Sequence, residues 1–260
     1  MSTSFAVPLN SLKRNPQTNE LYLQLPSPHH NIILTPPRWS DIPDILPIHN
    51  DPRVYKMLIG PPFPHLPEHA ESWLGRVKEK SDALISALEG NPDDKNVATN
   101  KDTGLMILGG CPVSSIRELQ DDGSDIFLGS LDITRCTRVN YLPDKEREAF
   151  VEQNLRFAVG DSRIIWEIGF YLKPSHHGRG IMTLALNTLI KDWAVPNMNV
   201  RAIDSSAFEG NYGSVKVFLK NEFSYMKDVG NDEGLVKNCV ELPESGRQYS
   251  FITSMTCLLN

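Results

Sequence analysis

Apolar residues recur along this chain at two spacings, about two residues and about 3.6, and the switches between them mark the elements. Residues 31–37, NIILTPP, are β-rich and closed by two prolines, which predicts a first strand. Ahead of it, residues 1–30 are polar and punctuated by proline; ELYLQLP alternates as an edge strand does, and the rest reads as a draped arm. Between 40 and 58, Ile42, Ile45, Leu46 and Ile48 hold helical spacing, and Pro47 and Pro52 divide the segment into two short helices. Pro61, Pro62 and Pro64 make 59–65 a loop. Pro67 then opens a helix with Ala70, Trp73, Leu74 and Val77 at helical spacing, continuing to about Leu88.

Residues 89–104 are polar and predict a mobile loop inserted in the domain. Strands follow at 112–119 and 125–133, joined by the hairpin signal Asp-Asp-Gly-Ser. Residues 134–163 form a second insertion, with a helix for which Asp144 is the expected N-cap. RIIWEIGFYLKP, at 163–174, is the strongest strand pattern in the chain, β-branched and aromatic and ended by proline. A glycine turn, a helix to about Ala194, a strand at 200–207 and a helix at 211–221 come next, and FSYMKD and QYSFITSMTCLL close the chain as strands. The order is α+β, with no internal repeat, and predicts one domain over 31–260.

Composition narrows the class without naming it. Of 260 residues 40% are apolar and 22% charged, as in a soluble globular protein. The net charge of −6 gives no basic surface for nucleic acid or anionic lipid, so neither partner is expected. Cys111, Cys136, Cys239 and Cys257 are not in CxxC spacing, which reads as free thiols in a reducing compartment. No apolar run follows a basic start, and no stretch approaches the roughly 18 to 20 apolar residues of a membrane span. The expected location is cytoplasmic or nucleocytoplasmic.

The turn between the strongest strand and its helix, KPSHHGRGIMTLA (173–185), carries the chemistry. The helix buries Ile181, Leu184, Ala185, Thr188, Leu189 and Trp193 on one face, so its first-turn N–H groups point back toward the strand end. With the helix dipole they form an anion site. Gly178 and Gly180 remove side chains that would hold a phosphate away, and Arg179 adds positive charge at the rim. A lone Gly-x-Gly also serves tight turns for geometry alone. A P-loop needs GxxxxGK[ST], which is absent, and a dinucleotide turn needs glycine where Thr183 stands, within a βαβ unit.

WEIGFYLKPSHHGRGIMTLALNTLI resembles the acetyl-CoA motif of the GCN5-related N-acetyltransferase (GNAT) family, closest to its RimJ/RimL-like branch and to fungal members within it. FEGNYGSVKVFLKNEF (208–223) resembles a second family signature, and NDPRVYKML…AESWL (50–74) the branch's N-terminal helices. The resemblance spans about 31 to 257 and implies an α/β/α layered fold, with a mixed sheet of about six to seven strands splayed at the fourth. Three departures stand out: Ser175 replaces the first signature residue, Glu222 a glycine, and Phe218 the tyrosine that many members use as general acid.

The resemblance also implies roles. The backbone of Phe170, Tyr171 and Leu172 would pair with the pantetheine arm of coenzyme A, and one N–H there would hold the developing oxyanion. The pyrophosphate would rest on His177, Gly178, Arg179, Gly180, Ile181, Met182 and Thr183. Asn211 would hold the cofactor and cap its helix, and Ser214 would stand near the leaving thiolate; an ordinary serine in a first helical turn is the alternative. Glu167 is the candidate base, set against an ordinary strand glutamate. The acceptor wall would come from Tyr55, Ile59, Pro61, Pro62 and Phe63, and from the connection 227–248. His176 and His177 point apart and have no evident third partner, so no metal is expected. His29-His30 reads as a polar loop pair.

The expectation is an acetyl-CoA-dependent N-acetyltransferase, monomeric or homodimeric, moving an acetyl group directly to a primary amine of a protein N-terminus or a small molecule. The rival readings are a CoA-binding module without catalysis, acting through protein contacts, and a nucleotide-binding protein.

Overall fold

A computed structural model describes residues 11–90, 95–99, 104–137, 144–208, 210–229 and 248–254. The N-terminal segment is not a draped arm where it is described. β1 (Leu12–Arg14) and β2 (Leu21–Gln24) form an antiparallel hairpin that joins β3 (Ile32–Thr35), because Leu12, Leu21 and Leu23 are apolar enough to be buried against the sheet. A 3₁₀ turn, Trp39–Asp41, leads into α1 (Ile42–His49), followed by α2 (Pro52–Tyr55) and α3 (Pro67–Leu88). The helix break expected at Pro47 does not occur: Pro47 lies inside α1. Each of the three helices has proline at its first or second position, where no intrahelical N–H bond is lost.

The expected loop at 89–104 contains β4 (Val97–Thr99), paired with β5 (Met106–Leu108) in a separate two-stranded sheet; residues 91–94 and 100–103 lie outside the described part. β6 (Ser115–Leu119) and β7 (Asp125–Arg135) form the predicted hairpin, and α4 (Asp144–Arg156) is the predicted insertion helix, with Asp144 inside it. β8 (Ile165–Leu172) runs through a short 3₁₀ turn and the glycines into α5 (Ile181–Thr188). The helix goes on beyond Ala194: a π-helical stretch, Leu189–Ala194, joins α5 to α6 (Val195–Met198). β9 (Ala202–Phe208), α7 (Tyr212–Lys220), β10 (Ser224–Val229) and β11 (Gln248–Ser254) complete the order.

Among the described residues, nine strands form one sheet in the order β1-β2-β3-β6-β7-β8-β9-β11-β10. Eight are those the sequence predicts, β2 among them as the alternating edge segment ELYLQLP, and β1 adds one more at the edge. β8 and β9 pair in parallel, the other described neighbours antiparallel. The pleat divides β8 between two cores. Trp166, Ile168 and Leu172 join the large cluster with Leu186 and Trp193, whereas Tyr171 joins Ile45, Ile48, Leu74 and Phe127 beneath α1 and α3. Glu167 and Gly169 share Tyr171's face, which opens toward α1 and α3.

An ion pair locks that helical layer to the sheet. Arg117 of β6 donates through Nη2 to both carboxylate oxygens of Asp41 at 2.7 and 2.8 Å, and through Nε to Thr35 Oγ1 at 2.7 Å. Only 3% of the Arg117 side chain and 2% of the Asp41 side chain are exposed.

Glu222, at the position where the family has glycine, has φ 66°. The left-handed turn is kept although the side chain that makes it costly, by roughly 1–2 kcal/mol, is present.

Candidate active site

β8 and β9 are in register only from Ile165↔Ala202 to Glu167↔Asp204. Beyond that they part, and the division is made by a side chain. Ser205 Oγ accepts from the Ile168 N–H at 3.1 Å and donates to the Ile168 carbonyl at 3.3 Å, so one hydroxyl replaces a strand partner. Strand geometry alternates the edge to which successive residues turn their N–H and C=O groups. Since Ile168 turns them toward β9, Phe170 does too, into the open splay. Replacing Ser205 with alanine leaves two buried backbone groups unpaired and is expected to lower unfolding free energy by about 1–3 kcal/mol in urea titration. A change within error would show that water replaces the hydroxyl there.

Three cavities meet at this splay. The largest, about 600 Å³, runs along the glycine turn and is lined by Phe170, Leu172, Gly178, Gly180, Ile181 and Met182, among others. Gly178 and Gly180 have φ 75° and 82°. A Cβ at Gly178 would meet nothing within 4 Å, and one at Gly180 only His29 Nε2 at 4.0 Å, so the turn is left-handed and its backbone bare toward the cleft. Gly180 N-caps α5, and its carbonyl accepts from Leu184 N–H at 3.0 Å, which leaves the N–H groups of Ile181, Met182 and Thr183 ahead of the first intrahelical bond. This is a cradle that fits a diphosphate.

Histidines brace the turn. His29 Nε2 bonds to the Arg179 carbonyl at 2.9 Å, His176 Nε2 faces Glu118 Oε2 at 3.3 Å, and His177 Nε2 meets the Leu172 carbonyl at 2.7 Å. His29 is therefore more than a polar loop residue. His177 lines the cleft, but its N–H donates to the Pro174 carbonyl at 3.2 Å, so it is not a free donor for phosphate. Arg179 is exposed and lies outside the cleft lining. The cations that line the cleft are instead Arg53, Lys216 and Lys220. Lys216 and Lys220 are four apart on α7, on the face away from buried Phe218, a spacing visible in the sequence.

The second cavity, about 130 Å³, fills the splay and is lined by Glu167 to Phe170, Asp204 to Phe208, Asn211, Ser214 and Phe218, with Met57 to Ile59 above. Asn211 and Ser214 also line the large cleft. Asn211 caps α7, its Oδ1 accepting from Ser214 N–H at 3.1 Å. Phe218 packs on Phe170 with centroids 5.4 Å apart. The ring replacing the family's tyrosine thus borders the splay without a hydroxyl.

The third cavity, about 490 Å³, opens on the other side of Phe170. Its walls include His49, Leu58 to Pro62, His65, Trp73 and Tyr171, and its floor Ser130, Asp132, Thr134, Glu167 and Gly169. Glu167 lies 3.5 Å from both Thr134 Oγ1 and Thr137 N, and it borders this cavity and the splay. Ile59, Pro61 and Pro62 line the pocket as predicted, but Tyr55 and Phe63 do not. Their rings stack on each other with centroids 4.0 Å apart, outside the lining. Of the connection 227–248, expected as a second wall, the ends belong to β10 and β11 and residues 230–247 lie outside the described residues. Asp132, which sequence reasoning passed over as a strand residue, is on the pocket floor because its register partner is Gly169.

A family model described as acetyltransferase (GNAT) domain matches residues 31–224. Among solved structures the chain is similar to Mycobacterium smegmatis RimJ in complex with CoA-disulfide, at 16% identity and TM-score 0.53 over 93% of this chain and 89% of that one. It is similar also to the microcin C7 self-immunity acetyltransferase MccE in complex with acetyl-CoA and AMP, at 14% and 0.51 over 86% and 93%. RimL, a ribosomal L7/L12 alpha-N-protein acetyltransferase, matches at 12% and 0.51 over 94% and 99%. No curated protein matches. Likeness at such identities carries the fold; the family match, with the splayed strands and the bare glycine turn, carries the rest. The chain belongs to the GNAT acetyltransferase family, with acetyl-CoA as its acyl donor.

Proposed function

We propose that this protein is an N-acetyltransferase of the RimJ/RimL-like branch, moving the acetyl group directly to a primary α-amine such as a protein N-terminus. The observation that carries the reading is that Phe170 and Leu58 border all three cavities, so that a donor cleft, a splay and an acceptor pocket would adjoin at these two residues. In this reading the diphosphate rests on the backbone of Gly178 to Thr183, with Lys216 and Lys220 beside it. The Phe170 N–H, turned into the splay, faces the thioester carbonyl and the charge that develops on it. Asn211 and Ser214 flank the sulfur end, and Glu167 meets the incoming ammonium group.

Energetics favour an α-amine. Releasing its proton at pH 7 costs about 1 to 1.5 kcal/mol, against about 4–5 kcal/mol for a lysine side chain. A pocket whose acids are carboxylates is better matched to the smaller demand. RimJ and RimL among the similar structures support the same class.

The test is thiol release from acetyl-CoA with a panel of N-terminal peptides, lysine peptides with blocked termini, and small amines. Acetylation of free α-amines above the other classes is the expected result. Preference for small amines would move the protein to metabolite acetylation. Tight acetyl-CoA binding without release on any amine would favour a non-catalytic CoA-binding module, which the missing Phe218 hydroxyl makes worth testing.

A further inference from the structure

The acceptor pocket holds a carboxylate for which that reading has no use. Asp132 is on the face of β7 that carries Ser130 and Thr134, and opposite it on β8 is Gly169. A Cβ at Gly169 would meet nothing within 4 Å, so no side chain covers the space between Asp132 and the pocket. Glu167, two residues before Gly169, faces the same space. The result is two acids around an uncovered patch of strand, next to the splay where acyl transfer would occur.

The surroundings make Asp132 a stronger proton acceptor than an ordinary carboxylate. Burial is the largest cause holding its pKa above the ordinary carboxylate value, the nearby Lys80 charge lowers it, and the negative charge of Glu167 raises it further. The other titratable groups facing the pocket are His49 from α1, His65 from the proline loop, His69 and Arg76 from α3, and Tyr171 from β8, whose phenol burial keeps neutral. Cys111 also feels Asp132, but burial raises its thiol pKa and keeps it neutral. His49 is only 3% exposed and has no hydrogen-bond partner on either ring nitrogen. Burial, then the neighbouring His65, lowers its pKa to about 3, so it brings no positive charge to offset the two acids. An orphaned imidazole and two carboxylates lining one pocket call for a polar, cationic occupant.

We propose that Asp132 is the group that takes the proton from the acceptor ammonium, with Glu167 holding that ammonium beside it. This rests on the reading of the chain as an amine acetyltransferase. The ammonium gives one proton to the Asp132 carboxylate. The neutral nitrogen forms a bond to the acetyl carbon, and the C–S bond breaks with its electron pair going to sulfur. The proton still carried by the attacking nitrogen ends on the thiolate. The products are the amide, free coenzyme A and protonated Asp132, which returns its proton to water.

The experiment compares wild type, D132N, D132E and E167Q with the best amine of the panel, measuring kcat and the pH profile of kcat/KM, with acetyl-CoA affinity by calorimetry. Asp132 must be charged to act, so the rate falls as pH drops through its pKa, and in wild type that limb lies above the ordinary carboxylate range near about 4. E167Q removes the repelling charge and is expected to move the limb to lower pH. D132N is expected to lose about 100-fold or more in kcat with acetyl-CoA affinity unchanged, and D132E to recover part of it. An active wild type with D132N equally fast, or with only E167Q inactive, overturns the role of Asp132 alone. D132N losing acetyl-CoA binding together with turnover overturns it as well, in favour of a structural role. A wild type that acetylates no amine overturns the amine reading beneath it.

Discussion

Asp41→Ala is expected to lower the unfolding free energy by roughly 3–5 kcal/mol, read by urea or thermal denaturation. The change leaves the Arg117 guanidinium, 3% exposed, without the carboxylate that accepts from its Nη2 at 2.7 and 2.8 Å. Asp125 remains at 3.2 Å from Nη1 but already accepts from Arg38 at 2.9 and 3.0 Å. Water does not reach the site, so the orphaned charge bears most of its desolvation penalty. Asp41 also accepts from the Arg38 N–H at 2.9 Å, which shapes the turn before α1. α1 carries His49, so activity should fall along with stability. A loss below about 1 kcal/mol, the range of an exposed pair, would mean that the guanidinium finds water or another acid.

Gly129→Ala should be damaging through a steric clash, at a backbone φ of 157° that L residues rarely adopt. A Cβ there would lie 2.2 Å from the Tyr171 carbonyl oxygen and 2.9 Å from Leu172 Cα. Those atoms are backbone of a central strand and cannot swing aside as a side-chain tip can. Relief requires β8 to move away from β7 at the residues that follow Phe170. The expected loss is about 3 kcal/mol or more in stability, at the upper end of overpacking, with weaker acetyl-CoA binding because Phe170 and Leu172 line the cleft proposed for it. Calorimetry on the folded fraction separates the two effects. Wild-type stability and affinity in this variant would show that the bulge beside Ile116 and Arg117 absorbs the methyl group.

What could be read from the sequence was local. The β8 strand, the glycine turn and the helix after it are written in neighbouring residues: β-branched and aromatic positions, then glycines with φ 75° and 82°, then an apolar face at helical spacing. Pro67 placed the start of α3 for the same reason. β1 escaped notice because a three-residue strand with one buried side chain, Leu12, has no periodicity to detect. Val97–Thr99 was hidden in a polar stretch and becomes a strand only because Met106–Leu108 lies beside it.

The site divides along the same line. The sequence alone determined the cradle, since a left-handed turn at the head of an apolar helix needs only glycines and periodicity. It determined also that Glu167 faces away from Trp166 and Ile168, since the pleat alternates. Only the tertiary structure decided what those faces meet. Register put Gly169 opposite Asp132 and brought a second acid to the pocket floor; a hydroxyl on β9, Ser205, parted two strands; and Tyr55 and Phe63 stack on each other outside the wall assigned to them. The physical reason is range: conformational preference acts over a few residues, whereas burial, charge and access depend on atoms brought together from segments far apart in the chain.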